Sequence, residues 1–288
     1  MSDTLETRFD TTGPINLKVE LLVGDATLTV TPGTATVVRL IPRGRSGAEM
    51  AEKFTVEARG NDVVVIAPKK EGFFGLGSKG SVDVEIELPS DSTVEAKTGA
   101  GDVTATGLLG DVRASTGAGD LTFHEVASAQ LKSGSGDLTL QSSRGDVNAK
   151  TGSGDVSIGT AGGRLDLVSG SGDIALRRSD APVKAKTGSG DLHVDASTGD
   201  LELMTGTGDV VLGAVHGGQV QARTGTGDVT IGIAHGVATY LDLNSVTGDV
   251  DVDLESTDAP GDSEARASLT VHSGSGDIHV KRASVSLA

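Results

Sequence analysis

Residues 187–191 read Thr-Gly-Ser-Gly-Asp. The phrase returns with small changes at 98–102, 116–120, 133–137, 151–155, 169–173, 205–209, 224–228, 245–249 and 273–277. Its aspartate falls at 102, 120, 137, 155, 173, 191, 209, 228, 249 and 277, so successive intervals are 18, 17, 18, 18, 18, 18, 19, 21 and 28 residues. A nearly fixed period of this length marks a repeat architecture, in which each unit buries its apolar face only against its neighbours.

Apolar residues alternate between the copies. Val156/Ile158, Ile174/Leu176 and Leu192/Val194 stand one and three places after an Asp, and Leu165/Leu167, Val183/Ala185 and Leu201/Leu203 follow about half a period later. Period two is the pattern of a half-buried strand. Gly-Asp pairs at 110–111, 145–146 and 199–200 mark turns at the half-period. Each repeat is therefore strand, turn, strand, turn. The expected fold is an all-β solenoid with about 18 residues per coil, each strand pairing with its equivalent one repeat away at a spacing of about 4.8 Å. The few aliphatics of one coil bury too little to offset its ordering entropy, so neighbouring coils must supply the ladder and close the faces.

The motif residues have separate expected roles. The opening Thr or Ser shares the parity of the preceding inward pair, so its hydroxyl is expected to point in and cap backbone groups at the corner. The glycines permit positive φ. The aspartate is expected to accept N–H groups of the turn. Carboxylates stacked one strand apart repel by about 0.9 kcal/mol per pair even in water. Lys97, Lys132, Lys150, Lys186 and Arg223, each five residues before an Asp, could offset this.

Before the repeats, Ile15 to Val30 alternates around a Gly24-Asp25 turn, and Val37 to Ile41 is a further strand. Residues 43–53 read as a polar loop with one helical turn, and 54–66 as a hairpin turning at Asn61-Asp62. Val82 to Leu88 is a strictly alternating strand. Residues 1–90 thus form an N-terminal β region that caps or continues the solenoid of 91–288. Past Asp228 the period loosens, with insertions expected as loops at 233–240 and 255–266, and Ile278–Arg282 reads as the last coil.

Composition narrows the function. The 288 residues include 42 Gly and 7 Pro, five Phe, one Tyr and neither Trp nor Cys, with a net charge of −16. A nucleic-acid partner needs a Lys/Arg excess and is not expected. The polar, acidic start lacks the look of a signal peptide and no apolar run reaches membrane length, so the protein is expected to be cytoplasmic. No nucleophile elbow, Cys nucleophile or zinc-helix motif occurs, and no catalytic residue, cofactor or metal ligand is assigned. Gly75–Gly80 matches a dinucleotide-loop pattern by letter, but a strand follows where that motif opens a helix. The six histidines are scattered. A calcium-binding β-roll also has 18 residues per turn, yet its carboxylate lies one place away from the position of Asp here; calcium is possible but not favoured. Thr104, Thr122 and Thr139 form a short outward column that a glycan could use, but it does not persist. Phe73, Phe74 and Leu76, flanked by Lys69, Lys70 and Lys79, form either a cap over an open solenoid end or an exposed contact for a partner or membrane surface.

The phrases FDTTGPINLKVELLVGDATLTV, GFFGLGSKGSVDVEIELPSDSTVEAKTGAGDV and IGIAHGVATYLDLNSVTGDV, with the TGxGDV repeats, resemble a bacterial β-strand-repeat family of unknown function labelled putative adhesin, in its actinobacterial form. The likeness runs from about Phe9 to Lys281. It implies a right-handed β-helix-like fold and carries over no catalytic residues. The functional expectation is a non-catalytic scaffold or protein-interaction module that meets a partner, or itself, through the solenoid ends. The alternative is an adhesin-type surface protein binding calcium or glycan through the repeat ladder.

Overall fold

The computed structural model describes residues 4–68, 80–254 and 266–283. They fall into two compact units, Met1–Leu140 and Gln141–Ala288. Among the described residues the regular structure is strand, apart from one helical turn, α1 (Gly47–Ala51).

In the first unit the chain enters the middle of its own stack. β1 (Leu5–Asp10) is followed by β2 (Asn16–Val23) and β3 (Ala26–Val30), which form a coil around Gly24-Asp25. After β4 (Ala35–Gly44) and α1 come β5 (Thr55–Arg59), β6 (Asp62–Ile66) and β7 (Gly80–Leu88). β8 (Thr93–Ala100) and β9 (Val103–Ala118) then begin the repeats. β2 lies parallel between β6 and β8, and β3 parallel between β7 and β9. The coil of β6 and β7 is thus outermost, although it is made second.

That outer coil is covered by antiparallel strands: β5 pairs with β6, β4 with β7, and β1 with β4. The hairpin over 54–66 and the helical turn within 43–53 are both present, and the N-terminal region does continue and cap the solenoid. Arg39 of β4 ties three strands together, donating to Glu87 of β7 at 2.6 Å and to Glu6 of β1 at 2.8 Å. These hydrogen bonds, Glu87 first and Glu6 second, raise its pKa further above the ordinary arginine value.

β10 (Leu121–Ser135) stacks on β9, and β11 (Leu138–Ser143) follows. β9 does not break at 110–111, where the sequence suggests a turn. Its first part pairs with β3 and its second with β8. The corner is made inside the strand: Gly107 has φ +91° and packs where a Cβ would lie 2.6 Å from Val30 Cβ, while the Gly110 amide bonds the Ser92 carbonyl at 2.9 Å.

The second unit alternates between two parallel ladders. One holds β12 (Val147–Ser153), β14 (Leu165–Ser171), β16 (Val183–Ser189), β18 (Leu201–Thr207) and β20 (Gly218–Thr226). The other holds β13 (Val156–Ala161), β15 (Ile174–Ser179), β17 (Leu192–Ser197), β19 (Val210–Val215) and β21 (Val229–Ile233). Strands pair in register with their equivalents, as Val183, Ala185 and Thr187 do with Leu201, Leu203 and Thr205. The aliphatics assigned inward are buried. Down one column Ala149, Leu167, Ala185, Leu203 and Ala222 alternate small and large, so successive layers interdigitate.

The final coils are interleaved. β22 (Ala238–Thr247) and β23 (Val250–Asp253) come before β24 (Arg266–Ser275) and β25 (Ile278–Arg282) in the chain. In space β24 lies between β20 and β22, and β25 between β21 and β23. The reading of Ile278–Arg282 as the terminal coil is therefore corrected: the terminal coil is 238–253, and most of the supposed loop 233–240 leads into it. One feature favours this order: the basic side of β25 faces acidic β23, with Lys281 opposite Asp253 and His279 Nδ1 3.0 Å from Asp251. Arg282 secures the crossing segment by donating to the carbonyls of Ala234 and Val237 at 3.2 and 3.4 Å.

Leu140 and Ile158 are fully enclosed. Leu140→Asp or Ile158→Asp should abolish the strand-dominated circular dichroism spectrum, because the buried carboxylate has no counter-charge.

Candidate functional site

The repeated motif builds one corner of each coil. At Gly190 φ is +148°, and a Cβ would stand 2.2 Å from the carbonyl oxygen of Gly172 one coil away. At Gly188 a Cβ would stand 2.6 Å from the carbonyl oxygen of Gly170. Two glycine columns therefore stack backbone on backbone; that of the motif's second glycine is unbroken, whereas Leu22 and Val246 take the first glycine's place in their coils. The opening hydroxyls point inward, as expected. Thr187 donates to the Gly172 carbonyl and Thr205 to that of Gly190, each at 2.9 Å.

The aspartate does accept a turn amide, but that amide belongs to the next coil. Asp191 N–H donates to Asp173 Oδ1 at 2.8 Å, and Asp209 N–H to Asp191 Oδ1 at 2.7 Å. In the first unit Asp102, Asp120 and Asp137 continue the chain of donors from Asp25. In the second it runs from Asp228 to Asp277 and only then to Asp249, following the interleaved order. Lysines placed to offset the ladder pair elsewhere: Lys97 with Glu95, and Lys186 with Glu202.

Outside the corners, a trough of about 210 Å³ crosses β16, β18 and β20, lined by Arg164, Lys184, Asp200, Glu202, Gln219 and Gln221. Lys184 donates to Glu202 at 2.8 Å. This bond is the main reason that the Glu202 carboxyl sits below its ordinary pKa, aided by Lys186 and opposed by burial. Thr27, Thr104 and Thr122 form an outward column in register. Among the described residues no three His, Cys, Asp or Glu side chains converge to hold a metal ion.

The terminal coil is the exception to the closed stack. On its outer side β22 and β23 have no strand partner among the described residues. Its exposed hydrophobics are Tyr240 at 70%, Val246 at 80%, Val250 at 45% and Val252 at 41%. Val250 and Val252 align with the fully buried Ile278 and Val280, so they are interior residues left uncovered. Four carboxylates, Asp242, Asp249, Asp251 and Asp253, lie on this coil, which has no Lys or Arg. Phe73, Phe74 and Leu76, proposed from sequence as the partner contact, lie outside the described residues. Sequence reading missed this end because the interleaving leaves only one trace, the long interval from Asp249 to Asp277.

Parallel coils locked corner to corner define the protein as an all-β solenoid. The family model of Toastrack DUF4097 matches residues 17–198 and 177–286, and the chain belongs to that family, whose function is unknown. Similar solved structures include a putative adhesin from Bacteroides fragilis NCTC 9343, with 14% identity, coverage of 97% of this chain and 98% of that one, and a TM-score of 0.36. A putative adhesin from Parabacteroides distasonis ATCC 8503 has 11% identity, 96% and 97% coverage, and a TM-score of 0.40. A putative lipid binding protein from the same strain has 10% identity, 97% coverage of each chain, and a TM-score of 0.36. No curated protein matches.

The corner roles separate by mutation. Gly190→Ala should destabilise by more than about 3 kcal/mol, combining a Gly-only backbone region with overlap, whereas Ser189→Ala at the exposed position between the glycines stays within about 0.5 kcal/mol. Asp191→Ala should cost about 1.5–3 kcal/mol for a lost charge-assisted bond. Asp191→Asn retains an acceptor oxygen, relieves repulsion, and should be the milder change in urea denaturation.

Proposed function

We propose that this protein is a non-catalytic β-solenoid scaffold that engages a protein partner through the open end of its second unit. The observation that carries this reading is the uncovered terminal coil, where Val246, Val250 and Val252 are exposed beside two strand edges that have no partner among the described residues. An open parallel edge with uncovered interior residues is a ready surface for strand addition. The neighbouring coils are closed: each inward aliphatic is packed between equivalents above and below, which suits a rigid support.

The calcium alternative is weakened by what the carboxylates already do. Internal aspartates such as Asp155, Asp173 and Asp191 have one oxygen on an amide of the next coil, whereas calcium takes six to eight oxygens per ion. Added calcium or EDTA should leave the melting temperature unchanged; a rise with calcium would favour the ladder as a metal site.

The scaffold reading is tested by photo-crosslinking in the producing cell. A photoreactive residue at Val246 should give discrete protein adducts, and the same residue at Ser157, on a lateral face, should give none. No adduct at Val246, or equal adducts at both positions, would overturn it.

A further inference from the structure

Each internal corner makes the same demands on the coil that stacks upon it. The amides of Gly276 and Ile278 donate to the Thr247 and Asp249 carbonyls at 2.9 Å, as the equivalent amides do throughout the stack. At the terminal coil the matching amides are those of Gly248 and Val250, which have no such acceptor among the described residues. The Asp249 amide is taken by Asp277 Oδ1, while the Asp249 carboxylate receives no amide among the described residues. The open end therefore presents two donors, one charged acceptor and four half-covered aliphatics placed as in an internal coil, with Val246 where internal corners have their first glycine.

We propose that this end accepts one further parallel coil in trans, supplied by a basic segment of another protein in which apolar and cationic residues alternate before a Gly-x-Gly corner. This inference rests on the scaffold reading and gives its partner a chemistry. The second glycine of that corner is required by space. A Cβ on Gly248 would lie 2.2 Å from the Gly276 carbonyl oxygen, and an incoming coil meets the Gly248 carbonyl in the same way. The alternation follows from register: apolar side chains cover Leu241, Leu243, Val250 and Val252, and those between them stand over Asp242, Asn244 and Asp251. The cationic character follows from charge, because this coil carries four carboxylates and no Lys or Arg. A second copy is disfavoured on the same ground, since joining two such ends opposes like charges.

The chain itself supplies a probe. Residues 183–194, VKAKTGSGDLHV, meet each demand: laid over 241–252 in the native register, Lys184 stands over Asp242, Gly190 over Gly248 and His193 over Asp251. A synthetic peptide of this sequence should bind the full-length protein saturably, shifting the Gly248 and Val250 amide resonances and slowing their hydrogen exchange. Alanine at both peptide glycines should weaken binding at least about tenfold through steric overlap. Glutamate at both peptide lysines should weaken it at least about fivefold at low salt. The protein variant Val250→Lys/Val252→Lys should lose binding with little change in melting temperature, because both positions are half exposed. Equal binding of all three peptides, or shifts confined to lateral faces, would overturn the proposal. So would concentration-dependent dimers in sedimentation that the Lys variant abolishes, since they would assign the end to a second copy. Crosslinks at Val246 without peptide binding would sink only the basic-coil inference, whereas failure of both would sink the scaffold reading with it.

Discussion

The structure depends on how closely two backbones approach at one corner. Carbonyl oxygens of one coil lie about 2–2.6 Å from where a Cβ would project in the next, and at the second position, a glycine in every copy of the motif, the approach exists only because there is no side chain. With the glycines in place, three polar contacts close the same corner. A hydroxyl and a main-chain amide satisfy carbonyls, and a carboxylate takes the aspartate amide. Strand register follows, because a one-residue slip would bring a side chain into a column that has no room for it. The aliphatic ladders add stability, but the corner decides which residue faces which.

This arrangement also explains why a column of like charges is tolerated. Neighbouring carboxylates repel by about 0.9 kcal/mol in water at strand spacing. A hydrogen bond to a charged acceptor contributes about 1.5–3 kcal/mol. The second effect is larger, so an aspartate that staples two coils stabilises the stack without a counter-ion, and the lysines remain available to glutamates on a lateral face. The acidity of the protein is in part a consequence of using the same staple at every corner.

The repeats were legible because period, parity and corner chemistry are local properties. The 18-residue interval placed the coils, alternation chose the inward residues Ile158 and Leu167, and the hydroxyls of Thr187 and Thr205 were assigned their inward direction correctly. What sequence did not show is order in space. A coil that stacks out of turn carries the same motif as one that stacks in turn, so nothing in SVTGD or SGSGD says which lies outside. The corner within β9 was hidden for a related reason, since Gly110-Asp111 has the letters of a turn but Gly107 bends an unbroken strand. The partner contact assigned to Phe73, Phe74 and Leu76 came from their clustering beside lysines and lies outside the described residues, whereas the uncovered Val250 and Val252 could be recognised only from the coil order.

The outer coils of the two units meet the problem of an exposed parallel edge differently. In the first unit the outer coil is covered by antiparallel β4 and β5, which occupy its ladder groups without copying the corner, so no further coil of the same kind can follow there. In the second unit the outer coil keeps Gly248 and Asp249 of the corner, with Val246 in place of the first glycine, and leaves them facing outward. Interleaving makes this end sturdier than a simple terminus: β24 and β25, the last described strands in sequence, are each held between two neighbours, and the outermost coil is tethered at both of its ends. An edge that is firmly held and still carries the amides, carboxylate and second glycine of an internal coil is preorganised for another coil, because binding need order only the incoming segment.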